Sequence, residues 1–148
     1  MYKRILVAID GSETSNRALQ EAIGLAKDQQ AMLHIVYVME GFGINSEVEF
    51  PGPEELENAQ EKYGLGMLEN ARGSALAEGV AVDSKLFQID NLGLRIADAI
   101  IQEAIIWSAD LIVLGTHGRS GLSHLLVGSV AEDILRVSPV PILLVRRK

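Results

Sequence analysis

ADLIVLGTHGRSGLSHLLVGSV, residues Ala109 to Val130, is the stretch that decides how this 148-residue chain folds. Leu111 to Leu114 is an unbroken apolar run that stops at a glycine, the pattern of a short strand buried on both faces, as in parallel sheets covered by helices. Gly115, Gly118, Gly121 and Gly128 follow, and the last leads through Ser129 into a helical pattern. Glycine has no Cβ, so where a strand hands over to a helix it lets main-chain N–H groups approach a bound anion. The helix start adds N–H donors without helical partners and the positive end of a dipole. The stretch therefore predicts a strand, a phosphate cradle and a helix, in that order.

Working outward, the same alternation recurs. Arg4 to Ile9 is an apolar strand ending at the turn pair Asp10-Gly11. Ser12, Thr14 and Ser15 offer helix caps, and Ala18, Leu19, Ala22, Ile23 and Ala26 recur at helical spacing. Met32 to Val38 reads as a second strand, followed by a loop from Met39 to Pro53 whose length marks it as functional or mobile. Glu54 to Glu78 reads as a helix with Leu56, Ala59, Tyr63 and Met67 on its apolar stripe, weakened by Gly64, Gly66 and Gly73 at about 1 kcal/mol each. Val80 to Ile89 is a third strand, with a turn at Asp90, Asn91 and Gly93. Leu94 to Ser108 carries Ala97, Ile100, Ile101, Ala104 and Ile105 at the spacing of a broad buried helix face. Beyond the glycine stretch, Val130, Ile134 and Val137 mark a fourth helix that stops before Pro139, and Val140 to Arg146 is the last strand. Strands alternating with helices in one domain spanning 1–148 predict an α/β fold, a doubly wound parallel sheet with helices on both faces.

Composition narrows the class of partner. A net charge of −7 and a pI near 4.9 disfavour nucleic acid and anionic membranes, which require a clustered basic surface. There are no cysteines, hence no disulfide framework and no thiolate metal site. The opening MYKRILVAID is broken by Asp10 before it reaches the length of a targeting segment, and no run of about 18 apolar residues occurs, so a soluble cytoplasmic protein without membrane insertion is expected.

Gly115, two residues, Gly118, nine residues, Gly128 and Ser129 resembles the nucleotide-binding signature of the ATP-binding branch of the universal stress protein family. Ile5 to Asp10 looks like that family's opening strand and acid, and Ser138 to Arg146 like its closing Ser-Pro-Val-Pro and apolar strand. The resemblance implies five strands ordered 3-2-1-4-5. The order reverses between strands one and four, so their carboxyl ends open a crevice where ligands bind. It further implies that Ala8 and Asp10 lie beside adenosine, that the main chain of Val38 meets the adenine edge, and that Leu114 and Gly115 border the ribose. Thr116, His117, Gly118, Arg119, Gly128, Ser129 and Val130 would surround the triphosphate. ATP with Mg²⁺ is the implied ligand, with Asp10 hydrogen-bonding either the ribose or a water of the phosphate-bound Mg²⁺. A homodimer or larger assembly and an unidentified regulatory partner, such as a kinase or transporter system, complete the implied picture.

Individual residues carry plainer readings beside these. Asp10 before a glycine is also a turn former or helix cap. Arg119 is the one cation of the glycine loop and reads equally as phosphate ligand or solvated surface, while His117 matters more through its main chain than its imidazole. His34, within an apolar strand, reads as a packed core histidine; His124 has no acid or cysteine at metal-ligand spacing; Trp107 reads as core. An enzyme is the main competing class. No G-x-x-x-x-G-K-[ST] is present, and Asp110 lies at the far end of strand four, about 16 Å from the loop, so turnover is expected to be slow or absent, at most a weak ATPase. A flavin carrier is disfavoured by Glu13 among the strand-one hydroxyls and by 5% aromatics. A dinucleotide fold would need more glycines after strand one, and a receiver domain would need clustered acids there and a lysine on strand five. The last strand, Ile142 to Val145, is short and apolar, and at a sheet edge it would pair with a second copy.

Overall fold

The computed structural model describes residues 1–40, 53–89, 95–116 and 128–146. Strands β1 (Arg4–Ile9), β2 (Met32–Glu40), β3 (Val82–Ile89), β4 (Leu111–Gly115) and β5 (Ile142–Val145) alternate with helices α1 (Glu13–Gln29), α2 (Pro53–Ala77), α3 (Ile96–Trp107) and α4 (Ser129–Val137). The five strands form one sheet in the order β3-β2-β1-β4-β5, every neighbouring pair parallel. This is the expected doubly wound α/β fold with its 3-2-1-4-5 order.

Alternation along each strand sends successive side chains to opposite faces. Ile5, Val7 and Ile9 join Leu33, Ile35, Val113 and the inner faces of α1 and α2 in one core layer. Leu6, Val36, Ile112 and Leu114 face α3 and α4 in the other. Both layers are shut off from water, with Ile5, Leu6, Ile35 and Ile112 fully buried at about 1.5–3 kcal/mol each. Gln30 ends α1 in a left-handed conformation, φ 54°, its N–H donating back to the carbonyls of Ala26 and Lys27.

Two helix faces differ from expectation. On α2 the stripe is displaced by one residue: Gly64, Leu68, Ala71 and Ala75 are buried, while Ala59 and Tyr63 point outward, Tyr63 at 55% exposed. Met67 is half-buried against the core, and the side chain of Leu56 lies outside the described residues. A Cβ at Gly64 would stand 2.7 Å from the Tyr37 ring, so the glycine that counted against the helix is the residue that lets it lie on the sheet. On α3, Ile105 is 55% exposed instead of buried. It lies about 40° beyond Ile101, which already marks the margin, because the buried arc is turned toward Glu103. Strand β2 runs two residues further than expected, β3 starts at Val82, and the rest of the expected loop, 41–52, with the turn at 90–94, falls outside the described residues.

Candidate functional site

Register sets the site. Val7 lies opposite Val113 and Ile9 opposite Tyr37, so continuing the pairing by one to three residues brings Asp10 level with Val38 and Thr116. At this carboxyl end of the sheet a cavity of about 160 Å³ opens, against the 10–15 Å³ that a single water occupies by the same measure. One side is apolar, made by Ala8, Val38, Ile96, Ile100 and Leu114; the other carries Asp10, Ser15, Thr116 and Ser129 with Gly115 and Gly128. Ile9, Val130 and Ala131 complete the lining.

The β1–α1 turn fixes the polar side. Gly11 adopts φ 84°, a conformation that suits glycine and turns the chain straight into α1. Asp10 Oδ1 accepts the Ser12 N–H at 2.8 Å, and Ser12 Oγ in turn caps α1 by accepting the Ser15 N–H at 3.1 Å. The Asp10 N–H donates to Ser15 Oγ at 2.9 Å. Asp10 is therefore both a turn former and a wall of the cavity.

Gly115, on the same side of the cavity, packs against Thr14. A Cβ there would meet Thr14 Cγ2 at 2.8 Å and the Thr14 main chain at 3.1 Å, so this glycine is required by the approach of α1 to β4. The Gly128 N–H donates to the Thr116 carbonyl at 2.6 Å, tying the start of α4 to the end of β4. Gly128 is the cap residue of α4 and has no side chain to satisfy the first-turn amides, and the first in-helix bond runs from the Glu132 N–H to the Gly128 carbonyl. An uncapped helix start beside an open cavity suits an anion.

Of the residues expected to form the site, Ala8, Asp10, Val38, Leu114, Gly115, Thr116, Gly128, Ser129 and Val130 line this one cavity. His117, Gly118 and Arg119 lie outside the described residues, as do Gly121 and His124. Sequence reasoning missed Ile96, gave Ile100 only a core role and took Ser15 as a cap or a flavin-site hydroxyl. The helical spacing of Ile96 and Ile100 was the available signal. Among the described residues no group of three histidines or carboxylates is placed to hold a metal, and no helix is long and apolar enough to cross a membrane.

Asp110, which the sequence places at the far end of strand four, does not line the cavity. Asp110 accepts the main-chain N–H groups of Lys3 and Arg4, at 2.8 and 3.1 Å, and holds the start of β1. His34 is buried as expected, but not among apolar groups alone: its ring lies between the carboxylates of Asp83 and Glu103, with Nε2 to Glu103 Oε2 at 2.6 Å. It stacks on Trp107, ring centroids 4.8 Å apart, and Arg4 covers Trp107 at 4.0 Å.

Residues 1–146 match the model of the universal stress protein family. The chain is 35% identical to the universal stress protein YxiE of Bacillus subtilis, over 99% of this chain and all of that one. Among solved structures it is similar to a universal stress protein family member from Burkholderia pseudomallei, with 32% identity and a TM-score of 0.78 over 97% of this chain and 96% of that one. A universal stress protein from Archaeoglobus fulgidus in complex with dAMP shares the fold, with a TM-score of 0.68 at 24% identity, covering 97% and 98% of the two chains.

Proposed function

The chain belongs to the universal stress protein family, and from that membership we propose that it is a cytoplasmic regulatory protein that binds ATP with Mg²⁺ in the cavity at the carboxyl ends of β1 and β4. The observation that carries this reading is one cavity whose lining joins an apolar group of side chains, against which a base could lie, to a polar group that ends at an uncapped helix start. The base would lie against Val38, Ile100 and Leu114, and Asp10 would take the sugar. The main chain at Gly128 to Val130, continued by Thr116 and the 117–119 stretch, would surround the phosphates. That a relative of the same fold holds dAMP makes adenine nucleotides the first class to test.

Among the described residues Asp10 is the one carboxylate lining the cavity. That suits Mg²⁺, which keeps most of its waters and is held chiefly by phosphate oxygens, with at most one or two carboxylates from the protein. The ion would neutralise phosphate charge there. Turnover is proposed to be slow or absent, since Asp110 is occupied at the opposite end of β4 and among the described residues no acid besides Asp10 lines the cavity.

Signalling would run through assembly. Among the described residues strand β5 pairs with β4 on one side only, and Leu143 is exposed on it, so a second copy can add to this edge and form a dimer. A kinase or transporter system is the proposed class of downstream partner.

Mass spectrometry of small molecules that co-purify with the native protein, followed by calorimetry with ATP, ADP and AMP, tests the reading. ATP binding is expected, and Gly118→Ala combined with Gly128→Val is expected to abolish it while the far-ultraviolet spectrum stays unchanged. A double variant that kept its ATP affinity would show that the cradle assignment is wrong. Sedimentation of the same preparation should give a dimer; a monomer at all concentrations would remove the β5 interface.

A further inference from the structure

Ser15 is the third residue of α1, 4% exposed, and lines the cavity beside Asp10. Its oxygen accepts the Asp10 N–H at 2.9 Å, and its own main-chain N–H is taken by Ser12 Oγ. A hydroxyl has one proton to donate and two lone pairs. Among the described residues no acceptor for the Ser15 proton lies within hydrogen-bond distance, although buried hydroxyls in native folds are nearly always satisfied. A helical serine ordinarily turns to the carbonyl four residues back. Here that residue is Gly11, in the turn before the helix, and the bond to the Asp10 amide fixes the oxygen on the cavity side. A ligand that fills the cavity can supply that acceptor.

Its neighbour says which kind of acceptor. A phosphate oxygen only accepts, so it can take the Ser15 proton but has none to give to the Asp10 carboxylate. A sugar hydroxyl both donates and accepts, so it can give its proton to Asp10 and receive one from Ser15. We propose that Ser15 is a ligand-binding residue, and that with Asp10 it forms a donor–acceptor pair that recognises one ribose hydroxyl of the bound nucleotide. This rests on the nucleotide reading above and adds a residue and a specificity to it: ribonucleotides would be preferred over the analogue lacking that hydroxyl.

Calorimetry with ATP, 2′-deoxyATP and 3′-deoxyATP on the full chain tests the pair. In Ser15→Ala, ATP affinity should fall about three- to tenfold, the worth of one hydrogen bond, and affinity for one of the two deoxy analogues should change less than twofold. Ser15→Cys, nearly isosteric with a weak donor, should show the same pattern if the alanine variant folds poorly. A purely structural role, in which Ser15 only holds Asp10 in place, is separated by the Asp10→Ala background. There the loss on Ser15→Ala must persist if the hydroxyl touches the ligand. Unchanged ATP affinity in Ser15→Ala, an equal loss for all three nucleotides, or disappearance of the loss in Asp10→Ala each overturns the Ser15 assignment alone. A wild-type chain that binds none of the three overturns the nucleotide reading and this proposal with it.

Discussion

The two ends of the sheet are built from similar side chains and do opposite things. At the amino end of β1, Asp110 accepts two main-chain amides, Arg4 covers Trp107 and donates from Nε to its carbonyl at 2.9 Å, and His34 lies between Asp83 and Glu103. Lys85 stands 3.8 Å from the second oxygen of Glu103. Each of these polar groups meets another polar group of the chain. At the carboxyl end, three residues after the last β1–β4 pair, an aspartate, two serines and a threonine border empty volume, and α4 begins without a side-chain cap. Saturating polar groups within the fold gives rigidity, and leaving donors aimed at a cavity gives a site. A carboxylate at a strand end therefore does not mark function by itself; what decides is whether it borders a cavity, as Asp10 does and Asp110 does not.

If the amino end is purely structural, disrupting it should cost stability and leave the cavity unaffected. Glu103→Ala gives the largest effect. It removes a buried carboxylate from His34 Nε2 and leaves a void between α3 and β2, with an expected loss of about 3 kcal/mol. Thermal unfolding followed by circular dichroism should show a drop of roughly 10 °C, while ATP affinity stays within twofold. A loss of affinity larger than that would mean that the two ends are coupled, and the contrast would fail.

Gly115→Ala sharpens the contrast from the other side. The added methyl would press on Thr14 Cγ2 and on the Thr14 main chain, so the first turn of α1 must move, at a cost of about 2 kcal/mol. Because Asp10 and Ser15 are carried by that turn, ATP affinity should fall together with the melting temperature. Thr14→Ser in the same chain removes Cγ2 and should restore part of both. A variant with wild-type affinity would show that the α1 turn does not shape the site.

Much of this was legible in the chain. Apolar runs of strand length broken by glycine and proline placed all five strands to within two residues, and the glycine spacing pointed to the junction of β4 and α4. What escaped has physical causes. The α2 stripe was read from large apolar residues, but a helix resting on Tyr37 turns its small residues inward, so Gly64 and Ala71 face the sheet and Tyr63 faces water. Ile105 was counted as buried because helical spacing does not show that Glu103 turns the arc toward His34. Histidine in an apolar strand gave no hint of partners on β3 and α3, since Asp83 and Glu103 are 49 and 69 residues away. Ser15 looked like one more capping hydroxyl, and only its distance to the Asp10 amide shows where its oxygen is held.

The smallest predicted effect is the most direct test of the contrast, because it alters one carboxylate without altering its shape. In Asp110→Asn the side-chain oxygen can still accept one of the Lys3 and Arg4 amides, but the new NH₂ group faces the other and the charge that strengthened both bonds is gone. One of these bonds is exposed and the other only partly buried, so the expected loss is about 1 kcal/mol, near the net worth of a single hydrogen bond. In urea the midpoint should fall with the slope unchanged, as befits a local loss in a chain that unfolds as one unit. ATP affinity should be indistinguishable from that of the unaltered chain, while Asp10→Asn, the same chemical change at the other end of β1, keeps an oxygen for the Ser12 N–H and should weaken ATP binding by more than it lowers the urea midpoint. If the two substitutions exchanged effects, or if each changed both readouts equally, the division of the sheet into a structural end and a binding end would have to be abandoned.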